Sequence, residues 1–110
     1  MIEVKRKDRL LLVVRQADTQ VHAYLNAREI YSKYGYQVPP FEDRIELIPQ
    51  LTPGLNTLLV LGVRWEKNYR FDVEVLLNGD QIAHHQSLAP NRGRNQGIVW
   101  DFGLEFMLPG

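Results

Sequence analysis

The feature that most constrains the fold of this chain is the alternation of apolar and polar residues along short segments. Apolar residues occupy alternate positions in two such segments: Phe71, Val73, Val75 and Leu77, and then Ile98, Trp100, Phe102, Leu104, Phe106 and Leu108. Because successive side chains of a β-strand point to opposite faces, this period of two predicts strands with one face in a core. We therefore expect Trp100 to be a core residue.

Turn-forming residues separate the apolar segments at intervals of about ten residues, a spacing typical of antiparallel sandwiches and barrels. Residues 10–14 and 58–63 are almost continuously apolar, as in core strands, and are too short for confident helices. The sequence thus predicts an all-β fold. We expect an antiparallel two-sheet sandwich of about seven or eight strands, with residues 1–110 forming a single domain.

Two segments share the pattern of a hairpin with an Asn-centred turn. Residues 21–30 and 73–82 carry Val, Leu, Asn and Ile at the same offsets, with the turns at Asn26-Ala27 and Asn78-Gly79. Asn and Gly tolerate the positive φ that tight hairpin turns require. Residues 24–34 come nearest to helical periodicity, but we interpret them as part of the first hairpin.

Composition excludes several classes of function. Lys plus Arg and Asp plus Glu both number 13, so there is no net charge to attract nucleic acid or an anionic membrane. The absence of cysteine excludes disulfides, thiolate catalysis and thiolate metal ligands. No segment has the length of a signal-peptide core or a membrane span. These features favour a soluble, cytoplasmic protein, with non-classical export left open.

From residue 21 to residue 62, the order of motifs is more specific. A strand with an Asn-centred turn is followed by Gly35-Tyr36, Pro40-Phe41 and Pro53-Gly54-Leu55-Asn56. This order resembles the sugar-binding, jelly-roll domain that precedes the catalytic barrel in β-galactosidase and β-glucuronidase type glycoside hydrolases. The resemblance implies a galactose-binding-like β-sandwich more than an activity, because its motifs are structural. The chain departs from it at Ala27, where the family has glycine, and we expect no catalytic barrel within residues 1–110.

Catalytic and metal-binding patterns are weak. His84 and His85 are adjacent, so on a strand they point to opposite faces and cannot easily share one ion. Neither Ser32 nor Ser87 lies in a nucleophile elbow. We therefore predict no enzyme activity, no catalytic residue, no metal site and no cofactor.

An enzyme remains the least favoured alternative. It would require a pocket in which His84 or His85 meets Asp101 or Glu105. Those two acids, and the pair Glu42 and Asp43, are otherwise expected to keep strand faces hydrated.

Two loops offer groups suited to a polar ligand. The first supplies amides and guanidinium forks from Asn91, Arg92, Arg94 and Asn95, which could bind sugar hydroxyls, carboxylates or phosphates. The second places Trp65 and Tyr69 around a polar turn that contains Asn68, an arrangement that could stack on a sugar ring. The alternatives are a solvated hairpin loop for the first and strand-end core aromatics for the second.

Four tyrosines, Tyr24, Tyr31, Tyr34 and Tyr36, could line a sheet face, form an interface or serve as glycan platforms. Together with the two loops and the resemblance, they predict a non-enzymatic carbohydrate-binding module or small lectin-like domain that takes a glycan or other polar ligand. The alternative is a structural protein that self-associates into a homo-oligomer or docks on a larger complex.

Overall fold

The computed structural model describes residues 1–17, 20–34, 41–64, 69–89 and 97–110, with only the backbone described for Tyr69 and residues 87–89. The described residues form nine strands: β1 (Ile2–Glu3), β2 (Leu10–Ala17), β3 (Gln20–Leu25), β4 (Arg28–Tyr34), β5 (Asp43–Glu46), β6 (Gly54–Arg64), β7 (Tyr69–Leu77), β8 (Asp80–Ala89) and β9 (Gly97–Leu108). One 3₁₀ turn, Ile48–Gln50, lies between β5 and β6. No helix in these ranges is long and apolar enough to cross a membrane.

The strands form two sheets packed face to face. The five-stranded sheet has the order β1-β9-β6-β3-β4, and the four-stranded sheet has the order β5-β2-β7-β8. All pairs are antiparallel except β1 with β9, which are parallel. The predicted all-β two-sheet sandwich is confirmed, and its ninth strand is the two-residue β1, which carries too little pattern to be read from sequence.

Both Asn-centred turns have the geometry that the sequence predicts. Asn26 and Ala27 have φ of 52° and 66°, and Asn78 and Gly79 have φ of 51° and 86°. Two consecutive residues with positive φ are the mark of a tight primed turn, which matches the twist of the flanking strands. The first hairpin therefore forms without glycine, at the cost of holding an alanine in the left-handed region.

The last strand follows the predicted alternation up to an irregularity near its start. Trp100, Phe106 and Leu108 are buried in the core as expected, but Ile98 is 62% exposed. The register with β6 shifts between Gly62, which pairs with Trp100, and Val63, which pairs with Ile98. This extra residue on β9 reverses the direction of the side chains before it, so placing Ile98 on the core face was wrong.

The two continuous apolar runs differ in burial. All five residues of 10–14 are buried. In contrast, residues 58–63 alternate: Leu58 and Val60 are in the core, whereas Leu59 is 42% exposed on the outer face of the five-stranded sheet. Only the first run is thus covered on both faces.

An aromatic cluster fills one part of the core. The ring of Trp100 stacks on His85 at 4.2 Å and 16°, and it meets Phe71 edge-on at 5.3 Å. Trp100 lies against Gly62 of the neighbouring strand, so closely that a Cβ at residue 62 would be 2.2 Å from Trp100 Nε1. Burial, and then the proximity of His84, lowers the pKa of His85, which favours the neutral imidazole within the stack.

A polar cluster closes the sandwich where β4 approaches β5. Tyr31 donates its hydroxyl hydrogen to Asp43 Oδ2 at 2.6 Å, and Lys33 Nζ lies 3.5 Å from the same oxygen. Burial, followed by the hydrogen bond to Asp43, raises the pKa of Tyr31 well above its ordinary value. The hydroxyl therefore remains a donor across the accessible pH range and joins the edges of the two sheets.

The outer face of the four-stranded sheet carries paired charges. Arg15 binds Glu74 at 2.6 Å and Glu42 at 2.9 Å, Arg44 binds Glu42 at 2.8 Å, and Gln81 donates to Glu74 at 2.7 Å. Val13 also points to this outer face, and it is buried. The paired polar side chains therefore cover the second side of β2.

This network predicts a specific contribution to stability against acid. The hydrogen bond from Gln81, and then the contacts with Arg15, lower the pKa of Glu74 in the folded state. Stability from this carboxylate is therefore present above its ordinary pKa of about 4.3 and is lost as the pH falls through the lower, folded value. We expect Glu74→Gln to flatten the decline in unfolding free energy between about pH 5 and about pH 3, as measured by denaturant titration. If the unfolding free energies of the wild type and of Glu74→Gln fell in parallel over this pH range, the role assigned to Glu74 would be contradicted.

Candidate functional site

Four described connections lie at the same end of the sandwich because consecutive strands from β2 to β9 alternate in direction. They are residues 4–9 before β2, the turn at Asn26-Ala27, the segment 47–53 between β5 and β6, and the turn at Asn78-Gly79. Backbone hydrogen bonds hold this end together: Asn78 donates to Arg9 at 2.8 Å, joining two of the connections, and Asn26 donates to Thr57 of β6 at 2.8 Å. This end is where the described residues form a cleft.

A buried asparagine fixes the geometry of this end. Asn56 Oδ1 accepts hydrogen bonds from Asn26 Nδ2 and from the backbone nitrogen of Thr52, both at 2.9 Å, and from Thr52 Oγ1 at 3.2 Å. Its Nδ2 donates to the carbonyls of Thr52 at 2.8 Å and Gly54 at 3.1 Å. Asn26 Oδ1 in turn accepts from the backbone nitrogen of Thr57 at 2.9 Å. The network holds the first hairpin turn against the connection to β6.

The end cleft lies between that hairpin turn and the 3₁₀ turn. It has a volume of about 400 Å³ and is partly open to solvent. Its described lining combines apolar, amide, hydroxyl and guanidinium groups: Leu25, Asn26, Arg28, Ile30, Pro49, Gln50 and Thr52. The volume lies in the lower part of the range of about 300–1,000 Å³ that is typical of small-molecule sites.

The charge around the end cleft is positive. Arg28 is the one ionisable residue among its described lining residues, and it forms no hydrogen bond or ion pair with another described residue. Arg6 Nη1 donates to the carbonyl oxygen of Leu51 at 3.5 Å, and Leu51 lies in sequence between the lining residues Gln50 and Thr52. The nearby Glu46 is paired with Arg9 at 3.2 Å. The cleft is thus suited to an anionic group.

Most residues of the two predicted ligand loops lie outside the part of the chain that the structure describes. Trp65, Asn68, Asn91, Arg92, Arg94 and Asn95 lie outside the described residues. Tyr69 begins β7, but its side chain is not described. Their role in binding stays a prediction.

The three histidines lie in three different places, two on the outer faces of the sheets and one on an inner side. His22 contacts Glu29 at 3.1 Å on the outer face of the five-stranded sheet, and His84 contacts Asp72 at 2.9 Å on the outer face of the four-stranded sheet. His85 is on the inner side of β8, in the stack with Trp100. The expected divergence of His84 and His85 is confirmed. In the described ranges, no cluster of three or more His, Cys, Asp or Glu residues could hold a metal ion.

The groups required by the enzyme alternative are also apart. Asp101 pairs in register with Leu61 and is exposed on the outer face of the five-stranded sheet, as is Glu105. His84 is on the opposite outer face, so the whole sandwich separates it from both acids. His85 stacks on Trp100 on the inner side of its own sheet, whereas both acids point outward from the other sheet.

The tyrosines divide among different environments. Tyr31 belongs to the polar cluster described above, whereas Tyr24 is half-buried on the outer face of the five-stranded sheet. Tyr34 is 59% exposed and meets His22 edge-on, with 5.9 Å between ring centroids. Tyr36 lies outside the described residues.

The described residues thus define a two-sheet β-sandwich with a cationic, partly open cleft at one end. No protein-family model, curated protein or solved structure matches the chain. The end cleft and the two outer faces are the parts of the described structure whose chemistry bears on function.

Sequence reasoning missed Arg28 and Gln50 as cleft residues. The available signal was the motif Pro53-Gly54-Leu55-Asn56, which indicated a structured turn but not its neighbours. Arg28 follows the first hairpin turn by one residue, and only the pairing of the two turns through Asn26 and Asn56 brings it to a concave surface.

Proposed function

We propose that this protein is a non-enzymatic carbohydrate-binding module that takes an anionic sugar unit of a glycan into the end cleft. The observation that carries the proposal is the guanidinium of Arg28, which no described residue pairs, in a concave site whose described lining has no carboxylate. A guanidinium fork binds the two oxygens of a carboxylate or sulfate with matched geometry.

The remaining lining groups suit the rest of a sugar. The Gln50 amide and the Thr52 hydroxyl can exchange hydrogen bonds with hydroxyl groups. Pro49 and Ile30 offer apolar surface for the C–H face of a pyranose ring. The resemblance of residues 21–62 to a sugar-binding domain supports the same ligand class.

The proposal predicts the effect of removing the Arg28 charge. Calorimetric titration with an oligosaccharide that carries a uronic acid should show at least about tenfold weaker binding for Arg28→Gln, since charge-assisted hydrogen bonds contribute about 1.5–3 kcal/mol. The matched control is Arg44→Gln, which removes the same charge from the outer face of the four-stranded sheet and should bind like the wild type.

Two further ligands sharpen this experiment. The same oligosaccharide with its carboxyl group reduced to an alcohol should bind the wild type more weakly than the acid and should not distinguish Arg28→Gln from the wild type. Sulfate alone should compete with the acid form if the anionic group is the anchor. Equal affinity of the wild type and Arg28→Gln for the acid form would overturn the proposal.

A second function, docking within an assembly, is favoured by the outer face of the five-stranded sheet. Leu55 is 49% exposed and Leu59 is 42% exposed there, at outward positions of β6 on either side of the outward Thr57. Grouped apolar exposure of this kind marks interaction surfaces on folded proteins. The two functions use different parts of the molecule and can coexist.

A further inference from the structure

We infer that the outer face of the five-stranded sheet docks a protein segment in which basic residues flank apolar ones. This inference rests on the assembly function proposed above and names the chemistry of its partner. It is independent of the end cleft.

An apolar stripe runs along β6 on this face. Leu55, Leu59 and Leu61 occupy alternate or near-alternate outward positions, and the register places Tyr24 beside Leu59 and Met107 beside Leu55. All five side chains are exposed or half-buried. The stripe therefore crosses three neighbouring strands and offers apolar surface on both sides of Thr57, the outward residue between Leu55 and Leu59.

A glycine makes a recess in the stripe. Gly103 lies directly opposite Leu59, so one side of that leucine has no side chain covering it. A Cβ added at residue 103 would come no closer than 3.6 Å to another group, the carbonyl oxygen of Leu58, so space is available above the glycine. The recess accepts a side chain from a partner without displacing the backbone.

Carboxylates line one side of the stripe. Asp101 is opposite Leu61, Glu105 is opposite Thr57, and Glu3 is opposite Met107. All three are exposed, and none forms an ion pair or side-chain hydrogen bond with another described residue. Asp101 and Glu105 flank the recess at Gly103, about 13 Å apart along the strand.

No Lys or Arg side chain balances these acids among the described outward positions of the sheet. The two basic residues of β4, Arg28 and Lys33, pair in register with Leu25 and Val21, which point to the core side. This contrasts with the four-stranded outer face, where Arg15 and Arg44 neutralise their carboxylates. Of the two outer faces, the one with unbalanced carboxylates is thus the one that also exposes apolar side chains.

Charge complementarity selects the occupant. Two copies joined face to face through this surface would bring like charges together, which disfavours a symmetric dimer there. Nucleic acids and anionic membranes are repelled for the same reason. A segment with apolar residues for the stripe and Lys or Arg for the acidic side fits both features.

The test uses two short labelled peptides of alternating sequence, Leu with Lys and Leu with Glu, in fluorescence anisotropy titrations against the whole protein. The Leu-Lys peptide should bind at least about tenfold more tightly than the Leu-Glu peptide, and this preference should shrink when salt is raised from about 0.05 M to about 0.5 M. Leu59→Thr and Glu105→Lys should each weaken Leu-Lys binding about fivefold or more. Glu46→Lys, a charge reversal on the opposite outer face, is the matched control and should have little effect.

Other outcomes would overturn the inference in distinguishable ways. If both peptides bound equally and Leu59→Thr still weakened binding, the face would be a docking surface but its partner would not need basic residues. If neither Leu59→Thr nor Glu105→Lys changed binding, this face would not be the docking surface. A dimer that sedimentation shows in the wild type and that Leu59→Thr dissociates would identify a second copy as the occupant instead.

Discussion

Gly62→Ala is expected to lower the free energy of unfolding by about 3 kcal/mol, because an added methyl group collides with a buried indole. The ideal Cβ at this position lies 2.2 Å from Nε1, 2.3 Å from Cε2 and 2.8 Å from Cζ2 of Trp100. The ring has little room to retreat, since His85 stacks on it and Phe71 meets its edge. Denaturant titration should report this loss, and thermal unfolding should show a midpoint lower by about 10–15 °C.

The adjacent strand offers a matched control. Gly103→Ala places its methyl group on the open outer face, where the nearest atom is 3.6 Å away, so the change should shift stability by less than about 1 kcal/mol. The double variant Gly62→Ala with Trp100→Leu should show a smaller loss than the sum of the single changes, because the collision is absent. Equal losses for Gly62→Ala and Gly103→Ala would contradict the close packing of Trp100.

Asn56→Ala is expected to cost about 4 kcal/mol, close to the upper end of what single substitutions cause. The side chain is fully buried and takes part in five hydrogen bonds. Its removal leaves the backbone nitrogen and carbonyl of Thr52, the carbonyl of Gly54 and the amide of Asn26 without their partner, at about 1–3 kcal/mol for each group that water cannot reach. Denaturant titration measures the loss, and Thr57→Ala, at the exposed neighbouring position, is the control with little expected effect.

Asn56→Asp separates hydrogen bonding from packing. Its carboxyl group has nearly the same shape but, when ionised, presents an oxygen to two carbonyls where the amide donated. The folded-state pKa of this introduced acid is raised, so the variant should be more stable below about pH 4 and should lose stability as the pH rises towards 7. A variant whose stability relative to wild type does not change with pH would contradict the donor role of Nδ2.

The sequence predicted the strands well because burial on one face imposes a period of two that local composition reveals. The alternation at residues 71–77 and 98–108 and the two Asn-centred turns correspond to β7, β9 and the tight turns of the structure. Ile98 was misplaced because a single extra residue in β9 shifts the register, and the partner strand that reveals the shift is distant in sequence.

The continuous apolar runs show a second limit of sequence reasoning. Residues 10–14 and 58–63 look alike in composition, yet only the first run is covered on both faces. The core covers its inner face, and Arg15 with its ion-pair partners covers its outer face. The apolar pattern of a strand does not show whether side chains of other residues cover its outer face. The exposed Leu59 was therefore not recognised as part of an interaction surface.

The end cleft was the least predictable feature. Its lining comes from the first hairpin and from the segment that follows β5, and it forms because Asn26 and Asn56 meet across two strands. The loops predicted to bind a ligand stand out by their supply of aromatic, amide and guanidinium groups, which is a local property of the sequence. Concavity depends instead on which connections share an end of the sandwich, and this depends on strand order.

The parallel pairing of β1 with β9 has a consequence for how the molecule forms. Ile2 pairs with Phe106, and β9 lies between β1 and β6 in its sheet. During synthesis, β1 has no strand to join and β6 has one bare edge until the residues of β9 leave the ribosome. The pairing of β9 with β1 and β6 thus completes the sheet. Because it joins residue 2 to residue 106, it closes the largest loop in the chain and is intrinsically slow. Until it occurs, the apolar residues of β6 are available to chaperones or to other nascent chains.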